Sequence, residues 1–136
     1  MSGGVYNVVV RNVHFRGSEF ATRIKSARGR GGVVQNITFE NLTFDNNVMG
    51  VAINMNYSHD DPAPPLDERT PHVKNIVYRN ISGRALTAGV FEGLAESAVT
   101  DILLEDVNIS AAVGGFECYR AKGGTAGNFV IPDACF

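Results

Sequence analysis

Gln35-Asn36-Ile37-Thr38-Phe39-Glu40-Asn41-Leu42-Thr43-Phe44-Asp45 is the stretch that decides the fold of this chain. In it, an Asn is followed by three largely apolar residues, a charged residue, a second Asn and an apolar-x-apolar triplet. The pattern recurs along the chain, and its first Asn or Asp falls at positions 7, 36, 75 and 101. Repeats separated by roughly 20–50 residues are typical of solenoids, so the sequence predicts a stack of similar coils.

Each repeat is predicted to form short β-strands separated by bends. The triplets after the first Asn or Asp are β-branched, aromatic or aliphatic, and such residues favour strands. The apolar-x-apolar triplets after the second Asn place their apolar side chains on one face. Further strand-like segments lie between the repeats, at residues 20–25, 51–56, 88–92 and 115–119. No segment shows helical periodicity, because Asn residues five apart do not share a helix face.

These features predict an all-β fold, a right-handed parallel β-helix of about four coils, in one domain over residues 1–136. Matched Asn residues in successive coils are expected to stack and to satisfy backbone groups in the bends. A β-sandwich is the alternative, but it needs antiparallel hairpins, and no clear hairpin dipeptide joins two strand segments. The longest step contains residues 58–71, which hold four of the five prolines and are predicted to be a rigid exposed loop.

The charge distribution is uneven although the net charge is only −2. The first thirty residues contain six basic residues and one acidic residue, whereas the remainder contains six basic and thirteen acidic ones. A local basic patch on an acidic body favours a small anionic ligand over nucleic acid, since nucleic-acid binders usually spread positive charge along a whole face. No apolar run approaches the roughly 18–20 residues that cross a bilayer, and Met1–Val5 has no features of a signal peptide.

Arg23 and Lys25 are the first candidates for a binding site. In a strand they point to one side while Ile24 points to the other. If Ile24 faces the core, two cations stand together on the outer face. The planar fork of Arg can donate two parallel hydrogen bonds to a carboxylate, and Lys adds a point charge. The alternative is a solvated pair of surface cations.

Cys118 and Cys135 are the only cysteines, and their spacing is not that of a metal site. In a secreted protein they would close a C-terminal loop with a disulfide that stabilises by about 3 kcal/mol. In a cytosolic protein they would be two ordinary thiols. Composition leaves both possibilities open.

Several of these segments together resemble family 28 of the glycoside hydrolases, the polygalacturonases (pectinases). The C-terminal part of that family has an Arg-Ile-Lys motif followed by a Gly-rich stretch and a Val-x-Asn-Ile-x-Phe-x-Asn strand, and residues 18–26 and 31–41 match this order. Ile53–Tyr57 is similar to the family's segment ending in Asn-Tyr. Cys118 and Cys135 resemble its C-terminal cysteine pair, which implies a disulfide. The resemblance covers almost all of the chain.

The resemblance implies a role for three residues, no cofactor and no metal. Arg23 and Lys25 would bind the carboxylate of a galacturonate unit beside the scissile bond, and Tyr57 would contact the sugar. The implied partner is an acidic polysaccharide, pectin or polygalacturonate, and the implied location of the parent protein is extracellular, in the cell wall. These roles agree with two adjacent cations on a strand and an aromatic residue one coil further on.

The family's catalytic motifs are missing from the sequence. An inverting glycosidase needs a general acid and a general base about 6.5–9.5 Å apart, and the family supplies them from Asn-Thr-Asp and Asp-Asp motifs, with a His-Gly motif nearby. None of the three occurs in its family context, so we assign no catalytic residue. Asp60-Asp61, next to His59, follows the Arg-Ile-Lys strand instead of preceding it and is expected to be a solvated pair.

Two other histidines are poor candidates for catalysis. His14 lies in an apolar-x-apolar strand and is expected to point outward, and His72 precedes a strand without a visible partner. We therefore expect a C-terminal portion of a polygalacturonase-like enzyme that is inactive by itself. The alternative is a non-catalytic β-helix module that binds acidic polysaccharide. Nucleic acid and membranes are not expected partners, and self-association is expected through apolar residues of the first coil, namely Val8, Val10 and Val13.

Overall fold

A computed structural model describes residues 3–57 and 69–136, and every regular element in these residues is a β-strand. The strands are β1 (Gly4–Arg16), β2 (Phe20–Lys25), β3 (Val33–Asn54), β4 (His72–Glu92), β5 (Val99–Ala111), β6 (Phe116–Tyr119) and β7 (Ala121–Ile131). Every pairing between them is parallel, in the order β1-β3-β4-β5-β7, with β2 on β3 and β6 on β4. The prediction of a parallel β-helix is confirmed. Residues 58–68, with His59, Asp60, Asp61 and most of the proline-rich loop, lie outside the described residues.

The strands form five stacked layers. Layer 1 contains β1 and β2, layer 2 contains β3, layer 3 contains β4, layer 4 contains β5 and β6, and layer 5 contains β7. β3 and β4 are 22 and 21 residues long because each runs through a bend and serves both sides of the coil. The Asn-based pattern predicted the first four layers and missed β7, whose Gly-rich sequence carries no Asn-x₄-Asn pattern.

The paired Asn and Asp residues of the repeat form the corners of the coils. All eight have positive φ values between 50° and 57°, and they are Asn7, Asn12, Asn36, Asn41, Asn75, Asn80, Asp101 and Asp106. The left-handed conformation costs most residues about 1–2 kcal/mol, and Asn and Asp tolerate it best after Gly. The Asn and Asp residues of the repeat therefore meet a backbone requirement: each repeat contains two sharp bends, five residues apart.

The Asn side chains also join the layers in two ladders. In the first ladder, the Nδ2 of Asn36 donates to Asn7 at 3.0 Å, and that of Asn75 donates to Asn36 at 3.1 Å. The second ladder repeats the arrangement, with Asn41 donating to Asn12 at 3.3 Å and Asn80 donating to Asn41 at 2.8 Å. The middle amide of each ladder, Asn36 or Asn41, thus donates toward the N-terminal layer and accepts from the next one. The predicted stacking of matched Asn residues is confirmed.

The corners set the register that stacks like residues in the core. Residues Ile37, Ile76 and Ile102 are in register and buried, and the same holds for the column of Phe39, Tyr78 and Leu104. The rings of Phe39 and Tyr78 stack with centroids 5.0 Å apart. Complete burial raises the pKa of Tyr78.

The two ends of the stack differ. At the C-terminal end, Cys118 and Cys135 form a disulfide with an S–S distance of 2.04 Å, and Phe136 packs against Phe91 with ring centroids 5.8 Å apart. At the N-terminal end, β1 has a neighbouring layer on one side only among the described residues. Val8 is 36% exposed although Ile37, its partner in the next layer, is 4% exposed.

Charged residues on the outer face of the longer strand segments alternate in sign from layer to layer. Arg11, Glu40, Arg79 and Glu105 are consecutive partners in the register of β1, β3, β4 and β5. Arg79 contacts both acidic neighbours, with Nη1 3.8 Å from Glu40 and Nε 2.5 Å from Glu105. Exposed pairs of this kind contribute little to stability. Like charges on neighbouring strands would repel, however, so the alternation favours this register.

A partly buried ion pair bridges the corner on the other side. Arg28, which follows β2, donates to both carboxylate oxygens of Glu96 at 2.5 and 3.1 Å, and Glu96 lies in the turn after β4. The hydrogen bond from Arg28 is the main reason that the pKa of Glu96 is lowered. The pair connects layer 1 to layer 3 across the layer from which residues 58–68 depart.

We expect Asn41→Ala to destabilise the fold more than Asn41→Gly. Both variants lose two ladder hydrogen bonds, worth about 0.5–1.5 kcal/mol each, and only Ala also has the strain of positive φ, about 1 kcal/mol. Urea unfolding followed by circular dichroism measures the order. Equal urea midpoints for the two variants would show that the positive φ at this corner has no effect on stability.

The Arg28–Glu96 pair predicts a pH-dependent contribution to stability. Because the pKa of Glu96 is lowered in the folded state, its contribution is present above the unfolded value, 4.5, and is lost as pH falls through the folded value. We expect Glu96→Gln to lower the free energy of unfolding by about 1–2 kcal/mol at neutral pH and to make little difference at pH 3. Glu105→Gln, at an exposed pair, is the control. A constant Glu96→Gln effect between pH 7 and pH 3 would contradict the assignment.

Candidate functional site

β2 places Arg23 and Lys25 side by side on the outside of layer 1. Ile24, between them, is 9% exposed and packs in the core, so the period-two alternation directs both cations outward. The register sets Arg23 beside Ala52 and Lys25 beside Asn54 of layer 2. The geometry that the sequence predicted for this pair is therefore present.

Tyr57 lies against both cations. Its backbone N–H donates to the carbonyl of Ser26 at 3.1 Å, which holds the end of layer 2 against layer 1. The ring centroid is 4.4 Å from Nζ of Lys25 and 4.9 Å from Cζ of Arg23. Cation–π contacts at these distances contribute about 0.5–2 kcal/mol. The structure thus brings the three predicted binding residues together in one basic cluster.

Phe20 is a fourth member of the basic cluster, and sequence reasoning missed it. Cζ of Arg23 lies 4.3 Å from the centroid of the Phe20 ring, so the guanidinium contacts an aromatic ring on each side. In a regular strand, residues three apart point to opposite faces. Phe20 differs because it is the first residue of β2, directly after the bends at Gly17 and Glu19. The sequence signal that could have identified Phe20 was an aromatic residue at the start of the predicted strand.

The guanidinium of Arg23 is fixed by rings and incompletely hydrogen-bonded. Its Nε is buried and has no hydrogen-bond partner among the described residues. A buried donor without an acceptor costs about 1–3 kcal/mol. A group restrained by packing, with spare donors and a second cation beside it, can receive the oxygen atoms of a carboxylate without losing much side-chain freedom.

The same outer face becomes acidic toward the C-terminal layers. Asn54 is in register with Glu92 of layer 3, and Glu92 with Tyr119 of layer 4. The Tyr119 hydroxyl donates to Glu117 at 3.1 Å. This hydrogen bond is the main reason that the pKa of Tyr119 is raised, and the charges of Glu117 and Glu92 add to it. Sequence reasoning missed this acidic patch, Glu92 with Glu117, because nothing local in the sequence sets the two residues beside the basic cluster.

The histidines lie away from the basic cluster. His14 is exposed on β1 and its Nδ1 is 2.8 Å from the hydroxyl of Thr43, which agrees with an outward position. The expectation that His72 has no partner is wrong, because its Nδ1 is 3.1 Å from the hydroxyl of Ser97. That hydroxyl also donates to the carbonyl of Pro71 at 2.7 Å. Its proton is thus committed to a backbone acceptor, so the pair holds a turn in place.

The basic residues of the first thirty do not form one patch. Arg11 and Arg16 lie on β1, Arg28 pairs with Glu96 at a corner, and Arg30 lies between β2 and β3. Only Arg23 and Lys25 share the basic cluster. The predicted basic patch is thus two cations wide, which suits a small anionic group. Within residues 3–57 and 69–136, no three His, Cys, Asp or Glu side chains are close enough to hold a metal ion. None of the described residues form a helix able to cross a bilayer.

Comparison with known proteins gives one consistent result. The model of the glycosyl hydrolases family 28 matches residues 2–127. A polygalacturonase of Prunus persica is 31% identical over 97% of the chain, and a probable polygalacturonase of Arabidopsis thaliana is 32% identical over 94%. Polygalacturonase-2 of Solanum lycopersicum is 31% identical over 81%. The matched regions are 35%, 30% and 24% of those proteins, so the chain spans about a third or less of their length.

The family match covers the layers that carry the corners, the core columns and the basic cluster. The parallel stack, the two Asn ladders and the Arg-Ile-Lys strand lie in one matched region and not in scattered segments. Fold and sequence comparison therefore agree, and the chain belongs to family 28 of the glycosyl hydrolases.

Proposed function

We propose that the basic cluster binds the carboxylate of a galacturonate unit in pectin, as part of a polygalacturonase-type, inverting glycosidase. The observation that carries this proposal is the contact of Tyr57 with both Arg23 and Lys25 on one outer face. Two cations suit an acidic sugar, and an aromatic ring beside them suits the apolar face of a pyranose. The proposal also rests on the family and on relatives named polygalacturonases.

The three side chains have different tasks in this proposal. Arg23 donates paired hydrogen bonds to the carboxylate, since its planar fork matches two oxygen atoms. Lys25 adds a second positive charge from the same strand. Tyr57 restrains both cations before the ligand arrives, which lowers the entropy lost on binding.

Residues 1–136 alone are proposed to hold the sugar without cleaving it. Inverting hydrolysis needs two carboxyl groups about 6.5–9.5 Å apart, with a water molecule between one of them and the sugar. The Asn-Thr-Asp, Asp-Asp and His-Gly motifs that supply this chemistry in the family do not occur here in their usual context. A non-catalytic module that binds acidic polysaccharide is the second candidate, and the same basic cluster favours it.

The proposal implies an extracellular site of action, in a pectin-containing cell wall. The disulfide between Cys118 and Cys135 supports an oxidising compartment, because structural disulfides are rare in the cytosol.

We expect the chain to bind galacturonate oligomers and Arg23→Ala to weaken this binding about tenfold or more, which corresponds to about 1.4 kcal/mol. Lys25→Ala and Tyr57→Ala should each have a smaller effect, because the paired hydrogen bonds come from Arg23. Calorimetric titration at low salt measures the affinities. Arg11→Ala, which removes an arginine from β1, is the matched control.

Three results would contradict the proposal. The first is no binding by the parent chain, and the second is an Arg11→Ala effect as large as that of Arg23→Ala. The third is hydrolysis: release of reducing ends from polygalacturonate at an enzymatic rate, abolished in Asp60→Asn and Asp61→Asn, would show that the acids are present in this chain after all.

We also propose that the chain self-associates through the open side of β1. Of the three residues expected at this edge, Val8 is 36% exposed, whereas Val10 and Val13 are partly buried against the core. Val5 and Val9 are 49% and 56% exposed instead, and the outer edge of β1 has no strand partner among the described residues. Such edges invite pairing with another chain. Sedimentation should show concentration-dependent association that Val9→Lys reduces. A monodisperse parent at high concentration would overturn this expectation.

A further inference from the structure

Five Asn-x-Ser/Thr triplets occur in the sequence, and the proposed function gives none of them a role. They begin at Asn36, Asn41, Asn56, Asn80 and Asn108. Such a triplet, without proline in the middle, is the acceptor for N-linked glycosylation, and modified positions lie on the surface of secreted proteins. The disulfide between the two cysteines supports an oxidising compartment of this kind. The five triplets differ in what each Asn amide does in the fold.

Three of the triplets begin at corners of the coils, where the Asn amide already holds two layers together. The Nδ2 atoms of Asn36, Asn41 and Asn80 donate within the ladders at 3.0, 3.3 and 2.8 Å. A sugar attached to one of these nitrogens would replace an amide hydrogen and would have to fit beside the amide of the neighbouring layer. These three positions are therefore poorly suited to modification. The triplet at Asn56 ends at Ser58, outside the described residues.

Asn108 differs because it lies within a strand and not at a corner. It is exposed on β5 between Val107 and Ile109, which are 0% and 1% exposed. Alternation along the strand sets Ser110 on the same outer side, and Ser110 is also exposed. Asn108 makes no side-chain hydrogen bond to any other residue that the structure describes. Its amide can therefore take a covalent substituent without breaking a contact of the fold.

The surroundings of Asn108 suit a first sugar unit. Its neighbours in the register are Ser82 of layer 3, a small residue, and Ile131 of layer 5. Ile131 is 51% exposed, so the apolar face of an N-acetylglucosamine at Asn108 can cover it. Asn46, with a φ of 56°, bends β3 between the segment aligned with Asn108 and the segment aligned with β2. A glycan at Asn108 thus lies on another side of the coil than the basic cluster.

We propose that Asn108 is an N-glycosylation site, the acceptor of an oligosaccharide delivered on a lipid pyrophosphate carrier. In the transfer, Nδ2 of Asn108 forms a bond to the anomeric carbon of the first N-acetylglucosamine and loses one proton. The bond between that carbon and the pyrophosphate oxygen breaks, and the lipid pyrophosphate leaves. This inference rests on the proposed function only for the extracellular location, since the transferase and its donor act on secreted proteins.

The test produces the whole chain behind a cleavable signal sequence in plant or yeast cells and analyses the secreted and the retained protein. Peptide-N-glycosidase converts each modified Asn to Asp, so mass spectrometry of peptides digested in heavy-oxygen water identifies every occupied position. We expect Asn108 to be occupied in most secreted molecules, and Asn36, Asn41 and Asn80 in few. Absence of a glycan at Asn108 from both fractions, or equal occupancy of the corner positions in the secreted protein, overturns the proposal.

Two serine variants form a matched pair. Ser110→Ala removes the acceptor triplet and keeps Asn108, so it should abolish occupancy there, whereas Ser110→Thr should preserve it. Ser82→Ala makes the same change in the triplet that begins at Asn80, also at an exposed position, and should leave the glycan content unchanged. A loss of glycan in Ser82→Ala as large as that in Ser110→Ala would contradict the assignment.

Glycosylation and ligand binding are measured separately, so this inference and the proposed function can fail separately. A glycosylated chain that binds no galacturonate oligomer contradicts the proposed binding of pectin and leaves Asn108 as a modification site. A chain that binds the oligomers through Arg23 and has no glycan at Asn108 contradicts this inference alone.

Discussion

The left-handed bend at the paired Asn and Asp residues is the constraint on which the rest of this structure depends. Each coil turns sharply at two residues five positions apart, and only a few residue types accept that backbone conformation at low cost. Where the corners are occupied by Asn, in layers 1 to 3, their amides are exposed at equivalent places and join into ladders. A local backbone preference thereby becomes a long-range alignment between segments 29 and 39 residues apart.

The alignment decides what the core and the surface look like. Because the layers are in register, each inward position repeats as a column, and Ile, Phe and Tyr stack on residues of similar shape. Gly83 interrupts its column because it has no side chain. Phe44 occupies the space instead, and a Cβ atom at position 83 would lie 2.4 Å from the Phe44 carbonyl oxygen. The same register carries outward residues into columns, and the basic cluster is the end of two of them.

Local patterns were sufficient to predict the class of fold, the strand positions and the outward direction of Arg23 and Lys25. They were sufficient because alternation within a strand and the Asn spacing are short-range properties. What they missed depends on contacts between layers or on irregular positions: Phe20 at the start of a strand, His72 bonded to a turn, and the acidic patch. β7 was missed for another reason, since its Gly-rich sequence carries no Asn-x₄-Asn pattern.

The alternating charges on β1, β3, β4 and β5 make odd and even layers of the stack different. Arg11, Glu40, Arg79 and Glu105 have opposite signs in odd and even layers. Loss or insertion of a single coil would leave the Asn ladders and core columns intact but would set two like charges against each other at the junction. Loss or insertion of two coils at once would preserve every one of these features. The sign of the charge at this position thus depends on whether a coil is odd or even in the stack. A solenoid with this alternation therefore changes its length most easily by pairs of coils.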